Sequence, residues 1–142
     1  MRAAGFSDFV VSAVIEGALE LLARPDGWTS GAQARDAGGA AVKPEAADAR
    51  CWCVCGALRR AASMALRPSD ESTRLRALCL AETAARHLST ALMRDFGVPC
   101  PSGNAMRHLT EWNDLVGRRQ ADVVLLYQRT LGIEAAEQVR AA

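Results

Sequence analysis

The strongest constraint on the fold is a long helical repeat in the middle of the chain. No glycine or proline interrupts the sequence between Ser69 and Gly97. Apolar residues recur there at three- and four-residue intervals, which predicts a helix over residues 70–95 with Ser69 as its N-cap and Gly97 just past its end. The expected buried stripe is Leu75, Leu78, Ala85, Leu88, Leu92 and Phe96. A helix of this length needs other helices to cover its apolar side, so the chain is expected to be mainly α.

Further helices are predicted on both sides of the long one, from their apolar period and their capping residues. They cover residues 7–24, 49–66, about 105–112 and 118–131. Ser7 and Asp48 are the expected N-caps of the first two. Gly56 lies inside the second, where glycine weakens a helix, so we expect a neighbouring helix to pass close to it.

The segment 28–48 lacks a helical period and predicts a small β-hairpin. Its strands are expected at residues 33–35 and 40–42, around a glycine-containing turn. An isolated hairpin is only marginally stable, so it should pack on the helices, with Trp28 as its anchor. The expected fold is one domain over residues 1–142, a compact bundle of four or five helices with this hairpin between the first and second helices. Residues from about 133 to 142 are expected to form a C-terminal tail.

Composition and charge narrow the classes of function. The formal net charge is +1, so nothing suggests the strongly basic face that non-specific nucleic-acid binding requires. No run approaches the roughly 18 apolar residues of a membrane span, and Asp8, Glu16 and Glu20 interrupt the N-terminal apolar run that a signal peptide would need. A cytoplasmic protein with five free thiols is expected. No cofactor-binding loop is evident, and no cofactor is predicted.

Three of the five cysteines lie within five residues, at Cys51, Cys53 and Cys55. On a helix Cys51 and Cys55 would share a face and Cys53 would point elsewhere. Their spacing does not match the paired cysteines of common zinc sites, so no metal is predicted and core packing is favoured. A nucleophilic Cys53 is the alternative, because a helix N-terminus lowers the pKa of a thiol.

The alternative enzyme would be a cysteine-dependent hydrolase or transferase. His87 or His108 would then be the base, and Asn113 or Asp114 would orient it. No recognisable catalytic signature surrounds Cys53, so this hypothesis rests only on the presence of the required residue types in the chain.

Two polar motifs are candidates for partner recognition. Trp112-Asn113-Asp114 either caps and turns the chain or forms a recognition corner anchored on Trp112. Arg35-Asp36 at the hairpin is either solvated or bonded to the backbone, or else it grips a partner. The full set of predicted binding residues is Trp28, Arg35, Asp36, Trp112, Asn113, Asp114, Arg118 and Arg119.

Residues 105–131 could also pass for a helix-turn-helix, with Arg118 and Arg119 opening the second helix. That helix is strongly apolar after Asp122, whereas a recognition helix needs a polar face that reads bases. A weak DNA-binding regulator is therefore a third hypothesis.

Several short motifs, taken together, resemble a known family. They are Gly27-Trp28, Gly31-Ala32, Ala34-Arg35-Asp36, Gly39, Trp52-Cys53, Gly56-Ala57-Leu58 and Trp112-Asn113-Asp114, followed by a helix rich in Val and Leu. This pattern is similar to that of a family of small bacterial and phage proteins, a domain of unknown function, over about residues 6–131. The resemblance implies occurrence in bacterial, plasmid and prophage genomes, and it implies no activity. The family pattern includes Cys53 but not Cys51 or Cys55, and its last helix opens on Thr where this chain has Arg119.

The sequence favours a non-enzymatic protein-binding or regulatory module associated with a phage or mobile element. Its partner is expected to be a protein that docks on surfaces containing Arg and Trp.

Overall fold

The computed structural model describes residues 5–133, which form five helices and one two-stranded antiparallel sheet. In chain order the elements are α1 (Asp8–Ala23), β1 (Ala34–Asp36), β2 (Ala49–Trp52), α2 (Val54–Leu66), α3 (Glu71–Phe96), α4 (Ala105–Asn113) and α5 (Gln120–Thr130). The predicted fold class is confirmed, with the small sheet between α1 and α2. The predicted tail lies outside the described residues apart from Ile133. Within residues 5–133, no helix is both long and apolar enough to cross a membrane.

The central element is α3, which contacts the other four helices. Ala85, Leu88 and Leu92 are fully buried on it, as predicted. Leu75 and Leu78 were predicted to be buried, and this is wrong, because they are 56% and 42% exposed. The N-terminal half of α3 instead turns small side chains toward its neighbours, since close packing of helices favours small residues at the contact. Its buried residues there are Ala77, Leu80, Ala81 and Ala84.

Side chains cap the helix ends. The Ser7 hydroxyl accepts from the Val10 N–H at 3.3 Å, which confirms the predicted cap of α1. The N-cap of α3 is Asp70 and not Ser69, because Asp70 and Thr73 form a reciprocal pair that satisfies two backbone donors. Gly97 ends α3 at φ +68°, a left-handed conformation in which glycine carries no steric penalty.

The strand pairing differs from the prediction. β1 pairs with β2 in the register Ala34–Trp52, Arg35–Cys51 and Asp36–Ala49. An isolated bridge from Arg35 to Ala41 connects β1 to the segment predicted to be its partner. The predicted helix from residue 49, capped by Asp48, was therefore wrong at its start, since a short apolar run does not distinguish a strand from the beginning of a buried helix.

Strand β2 buries Trp52, whose indole Nε1–H donates to the Pro44 carbonyl at 3.0 Å. Trp28, the predicted anchor of the hairpin, forms a bridge with Trp52 from the other side. The backbone and the indole of Trp52 thus tie the sheet to the chain on both sides of β1.

The first turn of α2 lies directly against the chain before β1. Cys53 is the N-cap of α2, and its sulfur accepts from the Gly56 N–H at 3.3 Å. A Cβ at Gly56 would overlap the Gln33 carbonyl, whose oxygen also accepts from the Cys53 N–H at 3.1 Å. The close neighbour of Gly56 is therefore this backbone, not the helix that the sequence had suggested.

Candidate functional site

Asn113 lies at the end of α4 and is fully buried. Its Oδ1 accepts from the Trp28 Nε1–H at 2.8 Å and from the Val54 N–H at 3.1 Å. Its Nδ2 donates to the Thr29 carbonyl at 3.2 Å and to Asp114 Oδ1 at 2.9 Å. The amide thus uses both donors and accepts twice. These five residues, Trp28, Thr29, Val54, Asn113 and Asp114, are called the Asn113 junction below.

The Asn113 junction joins the loop after α1, the start of α2 and the end of α4. Asp114 extends it, because its Oδ1 also accepts from the Gly31 N–H at 2.9 Å. Asn113 and Asp114 were predicted either to turn the chain or to recognise a partner. In the structure their polar atoms bond other parts of the same chain.

Trp112 is a core residue, with 4% of its surface exposed. Its ring meets Phe96 edge-on at 6.2 Å, and the Arg118 guanidinium stacks over it at 4.0 Å. Arg118 also donates from Nε to the Trp112 carbonyl at 2.9 Å. Both side chains therefore contribute to the fold, Trp112 in the core and Arg118 over its ring.

Arg119 is exposed, with 76% of its side chain accessible. It begins α5 as the N-cap, and an arginine side chain has no acceptor with which to cap a helix. The Asp122 carboxylate compensates by accepting from the Arg119 N–H at 2.9 Å. The start of α5 is therefore fixed by Asp122 and not by the side chain of its N-cap residue.

Arg35 and Asp36 hold the loops around the sheet. The Arg35 guanidinium donates to the Thr29 hydroxyl and to the Ser30 and Gly39 carbonyls, at 3.0–3.1 Å. Asp36 Oδ1 accepts from the Gly38 and Ala40 N–H groups, each at 2.9 Å. Of the two interpretations of this pair, the geometry favours the one in which the side chains bond the local backbone.

The environment of Cys53 does not favour a thiolate. Its side chain is 2% exposed, and burial raises the pKa of its thiol even though it accepts from the Gly56 N–H. Burial likewise raises the pKa of Cys55 to about 12. Cys51 lies in β2, so the prediction that it shares a helix face with Cys55 was wrong. Across residues 5–133 no three side chains of His, Cys, Asp or Glu gather as metal ligands would.

Neither histidine forms a hydrogen bond with Cys53 in the described part of the chain. The ring nitrogens of His108 are engaged by the Ser89 hydroxyl at 2.7 Å and the Val98 carbonyl at 3.1 Å. His87 is exposed on α3, and the Asn113 amide is used in its junction. In the described part of the chain, the structure therefore brings none of these residues into hydrogen-bond contact with the thiol.

Tyr127 on α5 is a key residue that sequence reasoning missed. It is fully buried, and its hydroxyl donates to the Val54 carbonyl at 2.7 Å. Burial raises the pKa of Tyr127 well above its usual value. As the chain's only tyrosine it could have been noticed, but nothing in the sequence indicates its partner 73 residues away.

An open groove lies between the C-terminal half of α2 and the N-terminal half of α3. Its volume is about 350 Å³, and it is called the α2–α3 groove below. Its lining residues are Lys43, Glu45, Arg59, Ser63, Pro68, Arg74, Ala77 and Leu78. The sequence did not indicate this groove, because its walls come from three separate segments.

The charges of the α2–α3 groove are unequally paired. Arg59 forms an ion pair with Glu45 at 3.0 Å and donates to Gln33 Oε1 at 2.7 Å. Lys43 and Arg74 form no ion pair with any residue between 5 and 133. The groove therefore combines an apolar floor of Pro68, Ala77 and Leu78 with two cations that form no ion pair in the described part of the chain.

A comparison with protein families settles the relationship suggested by the motifs. One family model matches residues 7–131 of this chain. The chain belongs to the family of unknown function DUF6197. The DUF6197 match spans both the Asn113 junction and the α2–α3 groove. Searches of the curated proteins and of the solved structures found no match.

Proposed function

We propose that this DUF6197 protein is a non-enzymatic binding module that holds a segment of a protein partner in the α2–α3 groove. The supporting observation is the groove itself, where Leu78 is 42% exposed beside Lys43 and Arg74, two cations without an ion pair among residues 5–133. A concave apolar surface with a few charged groups at its edge is typical of a binding site. The complementary ligand is a segment that offers an apolar side chain to Leu78 and a carboxylate to the cations.

In this proposal, the residues of the Asn113 junction that were predicted to bind a partner instead hold one wall of the groove in place. The Asn113 junction fixes the start of α2, and the later part of α2 supplies Arg59 and Ser63 to the groove. A rigid wall lowers the entropy cost of binding, because less of the surface must be ordered when the partner arrives.

The chemistry of the groove supports binding in preference to catalysis. The residues known to line it include neither histidine nor cysteine, and the Cys53 thiol is buried elsewhere with a raised pKa. A general base or nucleophile needs a pKa matched to its task and access to substrate.

We also propose a bacterial cytoplasm as the setting, with a phage or other mobile element as the source. All five cysteines are free, and two of them serve as core residues, which suits a reducing compartment. The link to mobile elements rests on the motif resemblance.

Site-specific photo-crosslinking tests the proposed function. Benzoylphenylalanine would be placed at Leu78 in the groove and, as a control, at Ser12 on the exposed face of α1. In a host lysate we expect a defined partner to be captured from position 78 and not from position 12.

The captured partner would then be purified and titrated against the unmodified chain, Leu78→Asp and Ser12→Asp. We expect Leu78→Asp to raise the dissociation constant by about tenfold or more, because one apolar contact with the partner is lost. Ser12→Asp is expected to leave the dissociation constant unchanged. Equal capture from both positions, or equal affinity of both variants, would contradict a docking site in the groove.

A further inference from the structure

Four exposed side chains along α3 are spaced symmetrically about the middle of the helix. Leu75, Glu82, Arg86 and Met93 are separated by seven, four and seven residues. At about 100° per residue they fall within about 40° of one another around the helix. They are called the α3 stripe below.

All four side chains of the α3 stripe are accessible. Leu75 is 56% and Met93 42% exposed, and the side chains of Glu82 and Arg86 are 60% and 53% exposed. Glu82 and Arg86 meet each other only at 3.9 Å, so most of their hydrogen-bonding capacity remains open.

The order of these residues is apolar, acidic, basic, apolar, and this order is self-complementary under a two-fold rotation. If the axis passes α3 midway between Glu82 and Arg86, each Glu82 faces the other chain's Arg86. Each Leu75 then faces the other chain's Met93. Such a match of residue i with j and of j with i is the defining property of an isologous dimer interface.

We infer that the α3 stripe is a homodimer interface in which two copies of this chain pack their α3 helices antiparallel. The stripe runs for about 27 Å at 1.5 Å per residue, so helices crossing at about 20° can stay in contact along it. The two central ion pairs set the antiparallel register, and the apolar pairs at both ends are shielded from water.

The dimer does not depend on the proposed groove, because the α3 stripe shares no residue with its lining. The two surfaces adjoin at Leu78, which stands three residues after Leu75 and four before Glu82 on α3.

Charge reversal tests the dimer with the full-length protein. Glu82→Arg places two arginines opposite two arginines, and Arg86→Glu places two glutamates opposite two glutamates. Sedimentation equilibrium over a range of concentrations is expected to show a dimer for the unmodified chain and a monomer for each variant. Glu20→Arg on the exposed side of α1 is the matched control and is expected to remain dimeric.

Two further samples separate specific pairing from a general effect of charge. The double variant Glu82→Arg/Arg86→Glu restores both pairs and is expected to dimerise again. An equimolar mixture of the two single variants is expected to form a heterodimer, because arginines at 82 and 86 then face glutamates at 86 and 82. Circular dichroism would confirm that every variant is folded. A monomeric unmodified chain, or a dimer that persists in both single variants, would overturn the inference.

Discussion

Asn113 and Tyr127 bind the two backbone groups of the same residue, Val54. The Asn113 Oδ1 accepts from the Val54 N–H at 3.1 Å, and the Tyr127 hydroxyl donates to the Val54 carbonyl at 2.7 Å. The first residue of α2 is thus held by the end of α4 and by α5. A helix N-terminus has unpaired backbone donors, and burying it requires side-chain partners of this kind.

Replacing Asn113 with Ala is expected to destabilise the fold strongly. The change leaves the buried Val54 N–H without its partner, at a cost of about 1–3 kcal/mol for a buried unpaired group, and it also removes the part-buried bonds to the Trp28 indole and the Thr29 carbonyl. We expect the free energy of unfolding to fall by about 3 kcal/mol or more, as measured by urea denaturation.

Glu111→Ala on the same helix is the matched control for Asn113→Ala. Glu111 pairs with Arg107 at 2.7 Å, but both side chains are more than 60% exposed. Exposed pairs of this kind contribute about 0–1 kcal/mol, so the control is expected to change little. Similar losses for the two variants would show that the Asn113 junction is not a structural centre.

Replacing Gly56 with Ala is expected to destabilise the protein, although alanine is the better helix former. A Cβ at this position would overlap the Gln33 carbonyl, which belongs to backbone and cannot swing away. Overpacking of this kind costs about 1–3 kcal/mol. Thermal unfolding followed by circular dichroism would measure the loss.

Gly17→Ala is expected to stabilise the protein, in contrast to Gly56→Ala. A Cβ at Gly17 would lie 3.5 Å from the Ala61 Cβ, an ordinary contact. The helix propensity of alanine then dominates, and stability should rise by up to about 1 kcal/mol. If Gly56→Ala were as well tolerated as Gly17→Ala, the close approach of residue 33 to α2 would be refuted.

The helices could be predicted from sequence because their signals are local. Ser7 and Gly97 stand at helix ends with the residue types that caps require, and the period of α3 persists for 26 residues. The burial of Leu75 and Leu78 was mispredicted because an apolar stripe does not show which side its neighbours will cover. Neighbouring alanines supply the actual contact surface.

A small sheet after the first helix was predicted, but its strand pairing and the Asn113 junction could not be, because the partners are distant in the chain. Asn113 bonds Trp28 across 85 residues and Val54 across 59. Asn after a short helix indicates a turn or a cap, and this local pattern does not indicate the three bonds that Asn113 forms with distant residues. The strand at 49–52 was missed because its four residues are too few to show a period.

Stability is expected to fall in alkaline solution. Burial raises the pKa values of Cys53, Cys55 and Tyr127 in the folded state, to about 12 for Cys55 against an ordinary 9.0. Below about pH 9 both states keep the Cys55 proton, and its titration contributes nothing. Between about pH 9 and 12 the unfolded chain releases that proton while the folded chain retains it, so rising pH favours unfolding by up to about 1.4 kcal/mol per pH unit for each such group.

Urea denaturation at a series of pH values from 7 upward would measure this dependence. Removing one buried acid with Cys55→Ala should make the decline shallower, whatever its effect at pH 7. Cys79→Ala removes an exposed thiol, and its curve is expected to run parallel to that of the unmodified chain. A decline unaffected by Cys55→Ala would mean that the Cys55 thiol does not keep its proton in the folded state.

Alkylation of the five thiols is expected to follow their exposure. Cys79 is exposed on α3, whereas Cys53 and Cys55 are 2% exposed with raised pKa values. Because the thiolate is the reactive form, iodoacetamide near neutral pH should modify Cys79 first and the two buried cysteines last. Mass spectrometry of peptides sampled over time would give the order of modification.

In urea all five thiols should react at similar rates, which controls for intrinsic differences in their reactivity. Faster reaction of Cys53 than of Cys79 in the folded protein would contradict a core role for that thiol and favour the cysteine-dependent enzyme over the binding module.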